Sequence, residues 1–364
     1  MNYVELCNEV LVAINEVTLA TAGADFNAAR GIQNAVKNGV NTAIRDIYNE
    51  ELNWPFAYTS GTQAITAGTD TYALPTSMKS VDWESFFIDS IEEITNTAFT
   101  SDITGWTSIS AGAGTAAYNA SGNGVARLTG DGTDIGGLTQ SITTVASRDY
   151  RVGLRHLSNG VVIKIGTTSG GAEIKTETIT LDNAGEGEIK SFVFTATGAT
   201  AYISMTNTSA TAVDIDYIKC REDTEGTHLE HINFNTWRTN YKASDSLLSP
   251  DSYGKPERVY ATLNDEFGIS SVPSQNNWEV TFDYYAPATE MTLFNSSHGI
   301  PTRYEQAIVS RARYYALSLR SDPAFADRAN KEYKDTIRRM RIELINKPTY
   351  FSAASTIPNT RVVR

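Results

Sequence analysis

The stretch Asn53-Trp54-Pro55-Phe56, followed by Ile65-Thr66-Ala67-Gly68-Thr69-Asp70-Thr71-Tyr72-Ala73-Leu74-Pro75, decides how this chain is organised. A long helical pattern ends in front of it, because proline at position 55 lacks a backbone N–H and restricts the residue before it. Gly68-Thr69-Asp70 is typical of a turn between two short strands. The sequence therefore predicts a helical layer joined at Trp54 and Phe56 to a small β-hairpin.

Length and composition favour a folded protein of several units. The 364 residues exceed one ordinary core, and 41% hydrophobic with 20% charged residues is typical of a globular chain. We expect no membrane span and no secretion signal, because the apolar runs are short and no basic segment precedes one at the N-terminus. Cys7 and Cys220 are expected to be buried and reduced rather than paired, which indicates assembly in a reducing compartment.

Charge is distributed unevenly along the chain. The net charge is −12, yet residues 302–364 contain 13 Lys and Arg against 6 Asp and Glu. An acidic body with a basic C-terminal segment argues against a general nucleic-acid binder. It favours a part whose basic end docks on an acidic protein surface, although solvated helix faces explain most such charges.

Helical periodicity occurs at both ends of the chain. Residues 3–19 predict a first helix, and Asp25 is the expected N-cap of a second, in which Gly31 and Gly39 indicate close helix–helix contact. Residues 302–305 read as a capping box for a third helix, and Asp322-Pro323 begins a fourth. The polar side of the fourth helix is basic, and consists of Arg328, Lys331, Lys334, Arg338 and Arg341.

The middle of the chain changes character. Residues 96–222 hold 17 of the 26 glycines and no proline, and short alternating runs recur, such as Val161, Ile163 and Ile165. Seven or eight strands in this length predict a β-sandwich, inserted into the domain formed by the rest of the chain. Residues 233–241 are expected to form a linker or strand, and residues 259–284 an antiparallel meander.

These patterns predict an α+β protein in which a helical bundle packs on a small antiparallel β-meander and is interrupted by the sandwich. We expect residues 1–95 and 223–346 to form the two parts of one domain. Residues 96–222 form the inserted sandwich, and residues 347–364 form an extended tail with too few apolar groups to fold alone.

The order of the motifs resembles the head-to-tail adaptors of short-tailed bacteriophages, the tail tubular protein A family. The matching stretches are Trp54-Pro55-Phe56, Tyr72 to Pro75, Gly254-Lys255-Pro256, Tyr284 to Pro287 and the helices after Ile300-Pro301. The resemblance covers roughly residues 1–90 and 225–350. The sandwich departs from the plainest members, and resembles galactose-binding-like or carbohydrate-binding jelly rolls.

The resemblance implies a structural virion protein of the tail, assembled in the host cytoplasm, that serves DNA ejection. It implies a ring, usually a dodecamer, that docks beneath the portal protein and continues the DNA channel without specific DNA binding. The ring would carry the tail nozzle protein (of the tail tubular protein B type) and the tail fibres. The C-terminal extension would reach the portal, which makes Tyr350, Phe351, Arg361 and Arg364 the candidate portal-binding residues.

The residues themselves give little sign of catalysis or metal binding. No nucleophile elbow, phosphate loop or dinucleotide fingerprint occurs, so we expect no catalysis and no cofactor. His228-Leu229-Glu230-His231 would bring two rings together only on a helix, and no metal is expected there. Asp214 and Asp216 could serve Ca²⁺ with Asp131 or Asp134, but a solvated polar face is favoured.

Glycan recognition by the sandwich is the alternative function. It needs an exposed aromatic platform beside polar groups, and the candidates are Trp106 and Tyr118. Trp106 is expected more often in a core than on a platform, whereas Tyr118 is open to either role.

Overall fold

The computed structural model describes residues 1–19, 23–120, 124–157, 160–180, 187–245 and 253–345. It is an α+β protein, as predicted, with helices at both ends of the chain and sheets between them that are antiparallel except for the parallel pair of residues 230–231 with residues 258–259. Among the described residues, no helix is both long and apolar enough to cross a lipid bilayer. The helices are α1 (Tyr3–Ala13), α2 (Gly23–Asn27), α3 (Ile32–Glu50), α4 (Phe234–Asn240), α5 (Glu305–Leu319) and α6 (Pro323–Met340).

The N-terminal helices differ in their bounds from the sequence prediction. The first helix ends at Ala13, and the predicted cap at Asp25 falls inside the short helix α2. The long helix instead begins after Gly31, whose φ of 57° lies in the left-handed region that glycine adopts easily. Its predicted apolar stripe is correct, because every third or fourth residue from Val36 to Ile47 is buried.

The C-terminal pair of helices is also capped differently from the prediction. The capping box at residues 302–305 does not form, since residues 302–304 make a 3₁₀ turn and the helix begins only at Glu305. Asp322 does cap the last helix, with Pro323 at its first position, as the sequence indicated.

Trp54 joins the helical part to the β-structure. Its side chain is fully buried, its indole N–H donates to the backbone oxygen of Ile47 at 2.7 Å, and its ring stacks on Phe56. A 3₁₀ turn over Pro55–Ala57 then leads into the first strand. The predicted joint is therefore present, because the aromatic anchor closes the end of α3.

The predicted hairpin after this joint is wrong. The two strands that flank Gly68 belong to different four-stranded sheets, so the turn passes from one sheet to the other. The predicted meander is divided in the same way. The strands of these sheets are β1 (Tyr58–Ile65), β2 (Thr71–Ala73), β3 (Ser80–Ser90), β14 (Thr227–His228), β15 (Glu230–His231), β16 (Arg258–Ala261), β17 (Glu266–Ser270) and β18 (Trp278–Tyr285).

The two sheets, ordered β1-β18-β3-β14 and β15-β16-β17-β2, pack face to face. Phe86 of the first sheet contacts Phe267 of the second with ring centroids 5.3 Å apart, and Phe282 stacks on Phe86 at 5.0 Å. Strands that are distant in the sequence therefore pair with each other, because burial of these rings stabilises the protein more than a local hairpin at Gly68 would.

Residues 233–241, expected as a linker or strand, contain helix α4. Asn233 caps it by accepting from the N–H of Thr236. Trp237 stacks on Tyr260 with a centroid distance of 4.4 Å, and its N–H donates to Asp245 at 2.9 Å. The aromatic residues therefore form a small cluster beside β16 rather than a strand.

The glycine-rich middle segment forms a sandwich of two five-stranded antiparallel sheets. The strands are β4 (Thr107–Ser108), β5 (Thr115–Asn119), β6 (Val125–Thr129), β7 (Gly136–Thr143), β8 (Asp149–His156), β9 (Val161–Gly166), β10 (Lys175–Ile179), β11 (Glu188–Thr195), β12 (Thr200–Asn207) and β13 (Val213–Glu222). Their orders in the two sheets are β10-β9-β12-β7-β4 and β11-β8-β13-β6-β5. The predicted alternation is correct at Val161, Ile163 and Ile165, which are all fully buried.

Three of the hydrophobic clusters, in the helices, the two small sheets and the sandwich, account for nearly all of the buried apolar side chains. Cys7 lies in the first and Cys220 in the third, both buried and unpaired, as predicted. The division at residues 95 and 222, and the tail from 347, stay proposals that limited proteolysis can test.

Candidate assembly surfaces

Helix α5 is the centre of the helical part, and Arg311 is its main polar contact. The guanidinium donates to Asp46 of α3 at 2.7 Å and to Asn330 of α6 at 3.1 Å. It also lies over the ring of Tyr333 at 4.9 Å. One side chain thus holds three helices together, as expected of a planar, five-donor group.

Gly39 allows α3 to approach α5 closely. A Cβ atom built there would lie 3.6 Å from the backbone oxygen of Ala312 and 3.7 Å from Cβ of Tyr315. The close helix contact expected from this glycine therefore exists, within this chain.

The residues that lead to the C-terminal tail are anchored to α3. Helix α6 passes into a π turn over Arg341–Ile345, and Arg341 pairs with Glu50 at 2.9 Å and with Glu51. The candidate portal-binding residues Tyr350, Phe351, Arg361 and Arg364 lie outside the described residues, so their role stays a prediction.

The sandwich enters and leaves the smaller sheets at one place. Strand β3 ends at Ser90, and β14, which follows β13, pairs back with β3. The segment that enters the sandwich is bonded to β13, the strand that leaves it: the N–H of Glu93 donates to the oxygen of Cys220 at 2.9 Å, and the N–H of Ile218 donates to the oxygen of Thr97 at 2.9 Å.

Charged groups reinforce this joint. Arg221 contacts Asp89 at 2.8 Å and Glu92 at 3.4 Å. Burial, together with the neighbouring carboxylates of Glu92 and Glu222, raises the pKa of Glu93 to about 7. The arrangement can position the sandwich rigidly on the helical and small-sheet part of the chain.

The structure changes the status of the two candidate glycan-binding residues. Trp106 is only 7% exposed and packs beside Phe99 in the sandwich core, so its ring cannot serve as an exposed platform. Tyr118 lies on the edge strand β5, half-buried, and its hydroxyl donates to the oxygen of Thr100 at 3.1 Å. The structure does not bring the two rings into contact.

The acidic residues considered for Ca²⁺ are engaged otherwise. Asp214 makes two 2.7 Å contacts with Arg127, and Asp216 pairs with Arg155 at 2.7 Å. Asp131 accepts backbone N–H groups of its own turn, which lower its pKa. Within the described ranges, no group of three or more His, Cys, Asp or Glu side chains could hold a metal ion.

The histidines of residues 228–231 lie on strands rather than on a helix. His228 contacts the backbone oxygen of Glu84, and His231 stacks on Trp83 with centroids 5.3 Å apart. Nε2 of His298 lies 3.3 Å from Glu305, and both side chains are buried. Burial lowers the pKa of His298.

A cavity of about 620 Å³ lies where the helices meet the first small sheet. Phe56 of the Trp-Pro-Phe motif and Tyr284, Ala286 and Pro287 of the Tyr-Tyr-Ala-Pro motif all line it, together with His298. Two motifs that are far apart in the sequence therefore meet at one junction.

The family comparison identifies the class of protein. The family model described as "SU10 adaptor protein" matches residues 172–355, from β10 into the C-terminal tail. The chain therefore belongs to the SU10 adaptor protein family, a phage adaptor family, and is a structural phage protein. The narrower resemblance to the tail tubular protein A family stays a prediction. No curated protein sequence matches the chain.

Among solved structures, the chain is similar to the tailspike protein 4 enzymatically active domain of bacteriophage CBA120 (13% identity, TM-score 0.31). That similarity covers 36% of this chain and about a fifth, 21%, of the tailspike chain. It is similar to TmCBM61 in complex with β-1,4-galactotriose (16%, TM-score 0.29; 37% of this chain, 100% of that one). It is also similar to the CBM22-1 xylan-binding domain of Paenibacillus barcinonensis Xyn10C, at 14% identity and a TM-score of 0.27. That similarity covers 37% of this chain and 97% of the xylan-binding domain. With TM-scores below 0.5, these similarities do not bear on the function of this chain.

Proposed function

We propose that this chain is a non-catalytic subunit of a head-to-tail adaptor ring, which docks beneath the portal and continues the DNA channel in the virion. The observation that carries the proposal is the family match over residues 172–355, which includes both C-terminal helices. The proposed ring is a dodecamer, assembled in the host cytoplasm, that carries the tail nozzle protein and the tail fibres.

The geometry supports this role in two ways. The π turn that precedes the tail is held against α3 by Arg341, which would let a portal-bound tail transmit load to the helical bundle. The sandwich is connected to the rest of the chain at one hydrogen-bonded joint, which suits a module displayed on the outside of a ring.

Removal of residues 347–364 tests the proposal. The expected product is a folded monomer that no longer joins portal rings, because the described helices are complete without the tail. Negative-stain micrographs of the portal protein mixed with the full chain or the truncated chain measure this, and circular dichroism checks the fold. Equal filling of portal rings by both chains would refute the role of the tail.

A second variant tests whether portal binding depends on the side chains of the tail rather than on its length. Replacing Tyr350, Phe351, Arg361 and Arg364 by alanine keeps the tail but removes its aromatic and basic groups. We expect the same failure to bind the portal, while alanine at Ser352 and Ser355 serves as the matched control.

Glycan binding by the sandwich is the second candidate function. The observation that favours it is Tyr118, whose half-buried ring is held in place by its bond to Thr100. A glycan array probed with the full chain and with Tyr118→Ala tests it. Binding by the full chain that is lost in the variant supports glycan recognition. If neither chain binds any glycan, the sandwich is better explained as a surface for fibre attachment.

A further inference from the structure

The exposed side of α1 is acidic. Residues 1–29 contain no Lys or Arg, and Glu5 and Glu9 are exposed one turn apart on this helix. Val12, 65% exposed, lies on the same stripe. Met1, Glu5, Asn8, Glu9 and Val12 line a shallow groove of about 430 Å³ along the helix.

The exposed side of α6 is basic. Its five basic side chains are all exposed, against exposed Asp327 and Asp335, while Glu332 is occupied by Arg313 and Arg328. Ile342, in the turn that follows, adds an apolar group that is 56% exposed. The basic residues are Arg328, Lys331, Lys334, Arg338 and Arg339.

These two faces lie on different sides of the bundle. Helix α5 packs against α1, α3 and α6. Toward the first helix, Arg320 donates to the oxygen of Ile14 at 2.9 Å and pairs with Glu16. Toward the last, Arg311 and Arg313 reach Asn330 and Glu332. Because α5 stands between them, the acidic and basic faces cannot neutralise each other within one chain.

We propose that the acidic face of α1 in one copy binds the basic face of α6 in the next copy, and that repetition of this contact closes the adaptor ring. The proposal rests on the proposed function, and names the two surfaces of each subunit that meet. Two different faces on one subunit make a heterologous contact, which generates a ring when the rotation closes.

The two faces are similar in length and opposite in charge. Glu5 to Val12 and Arg328 to Arg338 each span two to three helical turns, on the order of 10–15 Å at about 1.5 Å per residue. Opposite charges would set the register and speed association, while Val12 and Ile342 would supply apolar contact. Exposed ion pairs of this kind are weak singly, which fits subunits that stay monomeric until the portal gathers them.

Charge reversal tests the contact with full-length chains on portal rings. Glu9→Lys with Ala13→Lys makes the α1 face basic and spares Glu5, whose carboxylate accepts from the N–H of Asn2 at 2.8 Å. Lys331→Glu with Arg338→Glu makes the α6 face acidic. The control variant is Arg238→Glu with Lys242→Glu, which changes two exposed charges on and beside α4.

We expect each single-face variant to leave incomplete rings, at least tenfold fewer closed rings than the wild type, and the control to match the wild type. A mixture of the two single-face variants restores closed rings, since each reversed face then meets its complement. One chain that carries all four face substitutions restores them as well. Closed rings from either single-face variant alone, or no rescue in the mixture, overturn the proposal.

Carbodiimide cross-linking supplies a measurement of contact. It should join Glu9 to Lys331 or Lys334 as an amide between ¹⁴N- and ¹⁵N-labelled copies, and only in assembled rings. Absence of these mixed peptides from closed wild-type rings would also overturn the proposal. If the wild type forms no ring on its portal, the adaptor role itself fails, and the two failures are thus distinguished.

Discussion

Arg148 donates through Nη1 to both carboxylate oxygens of Glu222, each at 3.0 Å, where the sandwich meets the smaller sheets. Glu222 is only 9% exposed, and its carboxylate also accepts from Asn277. Its backbone oxygen accepts from the hydroxyl of Ser90 at 2.9 Å. This pair therefore ties the end of β13 to the end of β3 and to the segment before β18.

Replacing Arg148 by methionine should destabilise the protein. The change leaves a nearly buried carboxylate without its cation, which costs about 1–3 kcal/mol. Urea unfolding followed by tryptophan fluorescence measures it. The matched control is Arg151→Met, whose ion pair with Asp223 is more exposed and should contribute less than about 1 kcal/mol. Equal losses in the two variants would contradict a special role for the joint.

Glu93 should make stability depend on pH. Because burial raises its pKa from 4.5 to about 7, the folded state holds a proton that the unfolded state has lost. The stability that the protonated carboxyl contributes is complete below pH 4.5 and is lost as pH rises through 7. Glutamine does not titrate. After allowance for partial exposure, the free energy of unfolding of Glu93→Gln, measured relative to the wild type, should therefore be about 1–2 kcal/mol higher at pH 8 than at pH 5.

Unfolding free energies of the wild type and Glu93→Gln at pH 5, 6, 7 and 8 give this comparison. Glu290→Gln, at an exposed position, serves as the control. Parallel pH curves for the wild type and Glu93→Gln would show that the buried carboxyl has no such effect.

The indole N–H of Trp54 should stabilise the end of α3. Trp54→Phe keeps an aromatic ring but leaves the oxygen of Ile47 without its donor, at a cost of about 1–3 kcal/mol. Trp106→Phe removes a longer contact, 3.4 Å to Asn96, and should cost less. Thermal unfolding of both variants provides the test, and a larger loss at Trp106 would argue against the joint as the critical contact.

Gly39 should tolerate alanine, and Gly61 should not. At Gly39 the new Cβ makes ordinary contacts at 3.6 Å or more, so better helix propensity should add about 0.5–1 kcal/mol. At Gly61 the Cβ would lie 2.9 Å from the ring of Phe282, which is 2% exposed and cannot move freely. Calorimetry of the two alanine variants distinguishes them, and a loss of stability at Gly39→Ala would contradict the packing argument.

The parts of the fold that depend on residues close together in the sequence could be predicted from the sequence. The stripe of α3 depends on side chains three and four residues apart, and the alternation at Val161, Ile163 and Ile165 on residues two apart. The burial of Cys7 and Cys220 followed from the same patterns. Each of these features is set by neighbours along the chain, so one sequence is enough to find them.

The candidate site was less readable. Trp106 and Tyr118 are both aromatic residues in glycine-rich surroundings, and only packing places the first in the core. His298 has no acidic neighbour within four residues, yet its ring lies beside Glu305. The burial and contacts of these side chains depend on which helices and strands pack together, and the local sequence does not indicate that.

By itself, the sequence determined an α+β chain with a glycine-rich β-insert, an acidic first helix and a basic last helix, because period and charge are properties of neighbouring residues. Only the tertiary structure decided that β1 and β2 enter different sheets, and that α5 separates the acidic face from the basic one. The physical reason is that strand pairing and helix packing are selected by burial of side chains distant in the chain, such as Phe86 against Phe267.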